Sequence, residues 1–365
     1  MKVLLVDLET EWRGGQNQAL LLLKGLRERG DEAELVAADG SALGQRAGSA
    51  GVRVHSVSRG LFRLPAARKV RVLLGDGGFD LVHANEAHAV TAAWLARWPG
   101  SASRRPLVIS RRVGYPIGKS LLAQARYRAA ARIVANSKWV AEQAVASGAP
   151  REKISVVYEG ADIPPRFTPE QRQCARARWG ISQPTQLLGC VGVLLPDKGQ
   201  EWLIRAVAKV KKEFPGTKLL LAGDGPSRGQ LELLARKLNL KEDVIFAGFV
   251  KEVENVYAAL DVFLLPSFFE ALNNSLLAAM AYEIPSIAFN KGALGEIIED
   301  GKSGLLVSGP NVREISDAAI KLLSEPDLAR QLGRAGRLRV EQNFSTEEMV
   351  EGMIRVYEAC VNHAL

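Results

Sequence analysis

The sequence predicts an α/β protein built from two doubly wound domains, on three observations. Its 365 residues are long for a single hydrophobic core, so two domains of ordinary size are expected. Apolar strand segments alternate with helical stretches along the chain, the pattern of parallel sheets covered by helices. A stretch with three prolines, Glu159-Gly-Ala-Asp-Ile-Pro-Pro-Arg-Phe-Thr-Pro169, separates two such runs and reads as a linker, because prolines cannot sit inside regular elements.

The first run opens on Met1-Lys-Val-Leu-Leu-Val-Asp7, an apolar segment too short for a signal peptide and suited to a first buried strand. Strands are expected at Lys2–Leu8, Glu34–Ala37, Val52–Val57, Phe79–His83, Pro106–Arg111, Ala131–Ala135 and Ile154–Val157. Helices are expected at Gln16–Arg29, Ala87–Arg97, Ser120–Ala130 and Lys138–Ser147. In the second run the strands are Gln186–Val191, Lys218–Ala222, Val244–Phe246, Asp261–Leu265, Ser286–Phe289 and Leu305–Val307. Its helices are Glu201–Phe214, Ser227–Leu238, Asn274–Tyr282, Val312–Ser324 and Asp327–Asn343. A final helix, Thr346–Asn362, gathers Met349, Val350, Met353, Ile354, Val356 and Tyr357 on one side.

Composition narrows the functional classes. A hydrophobic content of 47% against 24% charged residues is that of a soluble globular protein. No segment approaches the roughly 18 apolar residues of a membrane span. Cys174, Cys190 and Cys360 are odd in number and far apart, and no Cys/His spacing suits zinc, so a reduced, cytoplasmic protein is expected. The net charge of +8 is unevenly spread: no acidic residue occurs between Glu86 and Glu142, where Arg97, Arg104, Arg105, Arg111, Arg112, Lys119, Arg126, Arg128, Arg132 and Lys138 fall. Such a block attracts anions or an anionic membrane surface. Nucleic acid is not indicated, because no aromatic-interleaved binding module accompanies the charge.

Several loops carry candidate chemistry. Pro266-Ser-Phe-Phe-Glu-Ala-Leu-Asn-Asn-Ser-Leu-Leu-Ala-Ala-Met-Ala-Tyr-Glu-Ile-Pro285 leaves the strand Asp261–Leu265 and opens a helix. A carboxylate there, Glu270, can accept hydrogen bonds from sugar hydroxyls, while free amides at the helix start can hold phosphate. Glu11-Trp-Arg-Gly-Gly-Gln16 follows the first strand; Gly14 and Gly15 let the backbone approach a ligand, and Arg13 adds a cation. It lacks the full dinucleotide fingerprint, which argues against a nicotinamide enzyme. Lys198 stands in Gly192-Val-Leu-Leu-Pro-Asp-Lys-Gly199, Gly223 and Gly225 in Leu219-Leu-Leu-Ala-Gly-Asp-Gly-Pro226, and Phe249 in Gly248-Phe-Val250. Asp80-Leu-Val-His-Ala-Asn-Glu86 ends another strand, with His88 just beyond.

These segments resemble those of GT-B fold retaining glycosyltransferases of family 4, the group 1 glycosyl transferases. The resemblance covers essentially the whole chain and is strongest from Gly189 to Val307. It implies two Rossmann-like domains facing across a cleft: residues 1–163, joined by the helix at 346–365, as the acceptor side, and 164–345 as the nucleotide-sugar side. It implies transfer of a sugar from a nucleotide diphosphate sugar to a glycan or glycolipid acceptor. The basic first domain suits an anionic acceptor, in lipopolysaccharide or cell-envelope polysaccharide synthesis, and its charge alone points to the inner face of the plasma membrane. No cofactor or metal is implied, and no Asp-x-Asp metal signature stands at the expected places.

Residue by residue, the resemblance assigns Glu270, Lys198, His83 and His88 to catalysis. Gly14, Gly15, Gly192, Lys198, Gly223, Gly225, Phe249, Val250, Glu270, Asn273, Asn274, Ser275 and Ala278 would meet the donor. Arg13, Asn85, Glu86, Arg111 and Arg112 would meet the acceptor or another anion. Three positions depart from the family pattern: Val193 where an Arg usually clamps the diphosphate, Asn85 where a second His stands, and Ala278 where a Glu grips the ribose hydroxyls. They leave a rival reading, a catalytically degenerate protein of this fold that binds a glycan or a partner.

Overall fold

The structure is a computed structural model and describes residues 1–58, 63–76, 78–97 and 105–362. Of the basic block noted above, Arg104 lies outside the described residues. The chain divides into two compact units, Met1–Gly160 with Ser345–Leu365, and Ala161–Phe344. The junctions thus fall after Gly160 and Phe344, against 163/164 and 345/346 expected from the sequence.

The first unit alternates β1 (Lys2–Asp7), α1 (Gly14–Glu28), β2 (Glu32–Ala38), α2 (Ala42–Ser49), β3 (Arg53–Val57), α3 (Leu64–Asp76), β4 (Leu81–Ala84), α4 (Ala87–Ala96), β5 (Leu107–Arg111), α5 (Leu121–Arg128), β6 (Arg132–Ala135), α6 (Lys138–Ala146) and β7 (Ile154–Val156). Its seven strands pair in parallel in the order β3-β2-β1-β4-β5-β6-β7, so the winding reverses between β1 and β4. Alternation along each strand sorts the core into two layers. Leu4, Val6, Val82, Leu107 and Ile109 pack with α3, α4 and α5. Val3, Leu5, Leu81, Val108 and Val134 pack with α1 and α2.

The second unit follows with α7 (Pro169–Arg178), β8 (Leu187–Val191), α8 (Gln200–Val210), β9 (Lys218–Ala222), α9 (Arg228–Lys237), β10 (Val244–Gly248), α10 (Glu254–Ala259), β11 (Val262–Leu265), α11 (Asn274–Ala281), β12 (Ser286–Phe289), α12 (Leu294–Ile297), β13 (Leu305–Val307), α13 (Val312–Ser324) and α14 (Pro326–Asn343). Its six parallel strands run β10-β9-β8-β11-β12-β13, and this winding reverses between β8 and β11. The chain then returns to the first unit as α15 (Thr346–Asn362), which buries Met349, Val350, Met353, Ile354, Val356, Tyr357 and Cys360 against the α1 and α2 layer.

Five helices, α2, α3, α7, α10 and α12, were not expected. The sequence of α7 carried the plainest signal: Thr168 and Gln171 form a reciprocal capping box with Pro169 at the first helical position. Pro169 therefore starts a helix instead of ending a linker. The rest of the expected linker is anchored. Glu159 is buried against Arg112 and Asn136, while Arg166 pairs with Glu283 and Phe167 stacks on Tyr282 at 4.3 Å between ring centroids.

Candidate functional site

In open parallel sheets, ligands bind beyond the strand C-termini where the winding reverses. In the second unit that place is set by the loops after β8 and β11. The first carries Lys198 and the second Glu270. The two side chains meet, with Lys198 Nζ donating to Glu270 Oε1 at 2.8 Å.

Backbone contacts hold this arrangement. The Phe268 N–H donates to Asp197 O at 3.0 Å, joining the two loops directly. Gly199 sits at φ 68°, and a Cβ there would collide with the Pro266 carbonyl oxygen; only glycine fits. Gly292 at φ 58° meets the Glu270 backbone under the same constraint, and the Ala293 N–H donates to Glu270 O at 2.9 Å. On the other side, Gly192 N–H donates to Ala222 O at 2.9 Å, Leu194 N–H to Asp224 O at 3.0 Å and Gly223 N–H to Gly248 O at 2.8 Å. Gly192, Gly223, Gly225, Phe249, Val250, Lys198 and Glu270 are thereby brought to one edge of one sheet. Phe249 is 85% exposed and available to stack on a flat group.

The start of α11 lies in the same loop as Glu270. The Asn273 side chain accepts from Leu276 N–H at 2.8 Å and so caps the helix itself. Asn274, Ser275 and Ala278 follow on the first turns, half-buried. Ala278 offers only a methyl group. Val193 is 52% exposed, with no cation in its place. Chemically, this end of the sheet presents the Lys198 ammonium, the Glu270 carboxylate and a helix N-terminus, with Arg228 and Asp224 paired at 3.5 Å beside Gly223 and Gly248, a set suited to a polyhydroxylated ligand bearing phosphate. Cys190, at the end of β8, is inert: burial pushes its thiol up to about 12.

In the first unit the corresponding reversal lies between β1 and β4. Asp7, buried at the end of β1, accepts from Gln16 Nε2 at 3.0 Å and from Asn85 Nδ2 at 2.6 Å. Asn85 Nδ2 also reaches Gly15 O at 3.3 Å, and Asn85 Oδ1 accepts from Arg112 Nη1 at 2.6 Å. Arg112 is held on its other side by Glu159, Nε to Oε1 at 3.3 Å. Gly14 and Gly15 form the first turn of α1, which no side chain caps and which carries no acid. Burial raises the Asp7 carboxyl above its ordinary value and lowers Arg112 below its own.

Several residues expected to meet substrate are engaged elsewhere. His83 is fully buried, with Nδ1 at 2.6 Å from Tyr357 Oη and Nε2 at 2.7 Å from Ser110 Oγ. Burial, with Arg112 close by, lowers its pKa to about 3. It joins β4 to α15 and is corrected from a catalytic to a structural group. Arg111 is also corrected: it is buried, donating to Tyr127 Oη at 3.1 Å and to Tyr115 O, and so is closed to an incoming anion. Asn85 is 3% exposed with its amide fully used, which makes it a support for Arg112 and the Gly15 turn. Arg13, in contrast, is exposed and paired with Glu11.

Glu86 caps α4, accepting from Leu8 N–H at 3.1 Å, Ala89 N–H at 2.6 Å and His88 N–H. Burial pushes its carboxyl up to about 7, with the Asp7 charge adding to the rise. His88 is half exposed; its Nδ1 lies 2.9 Å from Arg63 Nη2 and its Nε2 3.8 Å from Glu9. Glu9, Arg63 and His88 line a pocket of about 220 Å³ with Leu8, Ala38 and Ser58. Sequence reasoning missed Glu9, Asp7 and Arg63. Only their position, at or just after the end of β1 for Asp7 and Glu9 and just before α3 for Arg63, distinguishes them.

Comparison with known proteins bears on the family and the fold. Residues 12–163 match the profile of Glycosyltransferase Family 4, and residues 171–339 that of Glycosyl transferases group 1. Among curated relatives, a D-inositol 3-phosphate glycosyltransferase of Nocardia farcinica is 30% identical over 319 residues, covering 78% of this chain and 67% of the relative. A GDP-mannose-dependent alpha-(1-6)-phosphatidylinositol monomannoside mannosyltransferase of Mycolicibacterium smegmatis is 29% identical over 314 residues, 80% of each chain. Two solved structures share the fold: Anabaena Alr3699/HepE in complex with UDP and glucose (TM-score 0.83, 22% identity, 98% of this chain and 99% of that one) and a Rickettsia africae glycosyltransferase (TM-score 0.89, 20% identity, 99% and 98%). The fold is that of GT-B enzymes, with two Rossmann-like domains. The chain belongs to the family 4, group 1 glycosyltransferases and is an enzyme of sugar transfer.

Proposed function

We propose that this enzyme moves a sugar from a nucleotide diphosphate sugar to a hydroxyl of a glycan or glycolipid, with retention and without a metal. The observation that carries this reading is the Lys198–Glu270 pair at the β8/β11 reversal. Lys198 and the start of α11 offset the charge growing on the departing diphosphate, while Glu270 holds sugar hydroxyls. The acceptor attacks on the face from which the diphosphate leaves, so a diphosphate oxygen takes the acceptor proton. No dedicated base is then required, which agrees with the burial of His83 and Asn85.

A phosphorylated acceptor fits the reading best. The two relatives described above are named for inositol 3-phosphate and for a phosphatidylinositol monomannoside, and both of those acceptors carry phosphate. This favours a phosphorylated polyol or glycolipid of the cell envelope over lipopolysaccharide in particular. Work on such a lipid would take place at the inner face of the plasma membrane. The complex of Anabaena Alr3699/HepE with UDP and glucose supports a nucleotide sugar as donor.

Isothermal titration of UDP, GDP, ADP and TDP, with CMP as an outsider, tests the proposal. Saturable binding of one diphosphate, weakened in Lys198→Ala, identifies the donor base and leads to a transfer assay. No binding by any of them at millimolar concentration overturns the reading in favour of a non-catalytic glycan- or partner-binding protein.

A further inference from the structure

The loop between β8 and α8 carries Lys198 to Glu270, but other residues of the same loop serve a different cavity. Leu195, Pro196 and Gly199 help to close a pocket of about 260 Å³ between the start of α8 and the start of α9. Neither Lys198 nor Glu270 lines it. Leu195, Leu231 and Leu234 give the pocket an apolar wall, while Gln200, Arg205 and Gln230 bring polar groups to it.

Gln200, the first residue of α8, is 2% exposed. Its Nε2 donates to Val193 O at 3.0 Å, which fixes the amide and leaves Oε1 as the free end. Among the described residues nothing hydrogen-bonds to that Oε1. Buried acceptors are seldom left so, and a hydroxyl donated from within the pocket would complete it. The two helix starts add the opposite chemistry. Gly199 has no side chain to cap α8, and the buried Ser227 makes no capping bond to α9. No acid stands in the first turn of α9. Amide N–H groups and the positive end of the dipole therefore meet the pocket there. Arg205 is exposed and held only loosely, 4.0 Å from Glu201, so its guanidinium is available as well. The cavity thus offers donors for an anion on one side and acceptors for hydroxyls, Gln200 Oε1 and the Glu201 carboxylate, on the other.

We propose that this pocket is an effector site for a small phosphorylated polyol, separate from the sites for the sugar donor and acceptor. The phosphate lies at the start of α9 with Ser227, Gln230 and Arg205, and the hydroxyls donate to Gln200 and Glu201. One loop links the pocket to the donor site. Gly199 fits against the Pro266 carbonyl, Asp197 O accepts from Phe268 N–H at 3.0 Å, and Lys198 stands between them. A ligand that braces Leu195, Pro196 and Gly199 spares a diphosphate part of the cost of ordering this loop. Each ligand then strengthens the other by the same factor. Occupancy of the pocket is independent of the sugar-transfer reading; only the coupling rests on Lys198 meeting a diphosphate.

The test titrates glycerol 3-phosphate into the full chain by calorimetry, without nucleotide, with glycerol and inorganic phosphate as separate arms. Glycerol 3-phosphate should saturate and bind about tenfold or more tighter than inorganic phosphate, and glycerol should not bind. Arg205→Ala with Gln230→Ala, both at exposed positions, should weaken binding about tenfold or more, with thermal melts confirming that the variant folds. Lys198→Ala, and Lys237→Ala at the far end of α9, should leave it unchanged. With the pocket filled, the nucleoside diphosphate that binds the wild type should bind about fivefold tighter or more, and the Arg205/Gln230 variant should lose this gain. Four results overturn the proposal. They are no saturable binding at millimolar concentration, inorganic phosphate binding as tightly, indifference to Arg205 and Gln230 or loss in Lys198→Ala, and a diphosphate affinity unmoved by the filled pocket. If no diphosphate binds at all, sugar transfer fails as a reading, while the glycerol 3-phosphate titration still decides whether the pocket is a site.

Discussion

Lys198 and Glu270 neutralise each other across 2.8 Å, the glutamate side chain 8% exposed and the lysine 26%. They come from loops 72 residues apart. On the proposed donor site, a diphosphate that drew Lys198 away would leave Glu270 free for a sugar hydroxyl, so that binding one half of the donor would prepare the site for the other. Lys198→Ala is expected to lower kcat by roughly 10²–10³-fold, the scale of a lost group that stabilises developing charge. Glu270→Gln, which keeps an acceptor, should cost less than Glu270→Ala. Steady-state kinetics beside diphosphate titration decide it; a Lys198→Ala enzyme within tenfold of wild type would remove the lysine from the mechanism.

Ala278 lies in the second turn of α11 with only a methyl group to offer. If donors bind here as they do in the family, Ala278→Glu supplies a charged acceptor for ribose hydroxyls. Nucleoside diphosphate affinity should then rise roughly tenfold to a hundredfold, corresponding to about 1.5–3 kcal/mol for a hydrogen bond to a charged group. Titration calorimetry reads this directly. An unchanged or weaker affinity means that the nucleotide sits differently in this enzyme.

His83 is buried neutral, with its pKa lowered to about 3 from 6.5. Between those values the unfolded chain binds a proton that the folded chain refuses, so stability falls as pH drops below about 6.5. The slope is at most about 1.4 kcal/mol per pH unit. His83→Gln should be less stable at neutral pH yet show a shallower acid slope in thermal melts. It should leave the pH dependence of activity near neutrality unchanged, and a shifted profile would return His83 to the reaction.

Glu86 has the opposite sign. Its carboxyl is raised from 4.5 to about 7, so the folded protein holds a proton that the unfolded chain has lost across that window. This part of the stability is full below about pH 4.5 and disappears as pH rises through 7. Glu86→Gln, lacking the titration, should gain stability relative to wild type as pH rises through the same window. Melts at several pH values would show a constant difference if burial does not raise this group.

Asn85 tests the support under the first unit's loops. Asn85→Ala leaves Asp7 and Arg112 each short of a buried partner, which should destabilise the protein by about 1–3 kcal/mol for each group left unsatisfied. Its effect on kcat should follow from a displaced Arg112 and Gly14–Gly15 turn. Asn85→His, which offers proton exchange at the same position, should not raise activity.

Much of this was legible in the sequence because two signals are local. Strand and helix periodicity placed each strand and ten of the helices, though not the 13-residue α3, and loop residues after β8 and β11 were found because strand-loop-helix junctions are short. What escaped depends on partners distant in sequence. His83 has the look of a catalytic residue until Tyr357, 274 positions away, is seen against it. Arg111 and Arg112 are adjacent and equally basic. Strand alternation turns the first toward Tyr127 and the second toward Asn85 and Glu159, and no composition argument separates them. The helix α2 was missed because Gly44 and Gly48 weaken its propensity, although Ser41 caps it in the ordinary way.

The return of α15 to the first unit sets an order of assembly on the ribosome. The second unit is one continuous stretch, complete once residue 344 has emerged. The first still lacks Met349, Val350, Met353, Tyr357 and Cys360, and its inner layer of Val3, Leu5, Leu22 and Leu26 is missing part of its cover. Synthesis ordinarily lets the earlier domain finish first. Here the earlier one must wait for the later, open along α1, until α15 has been made. A nascent chain stalled at residue 344 should therefore present a protease-resistant second unit and a first unit that chaperones still recognise.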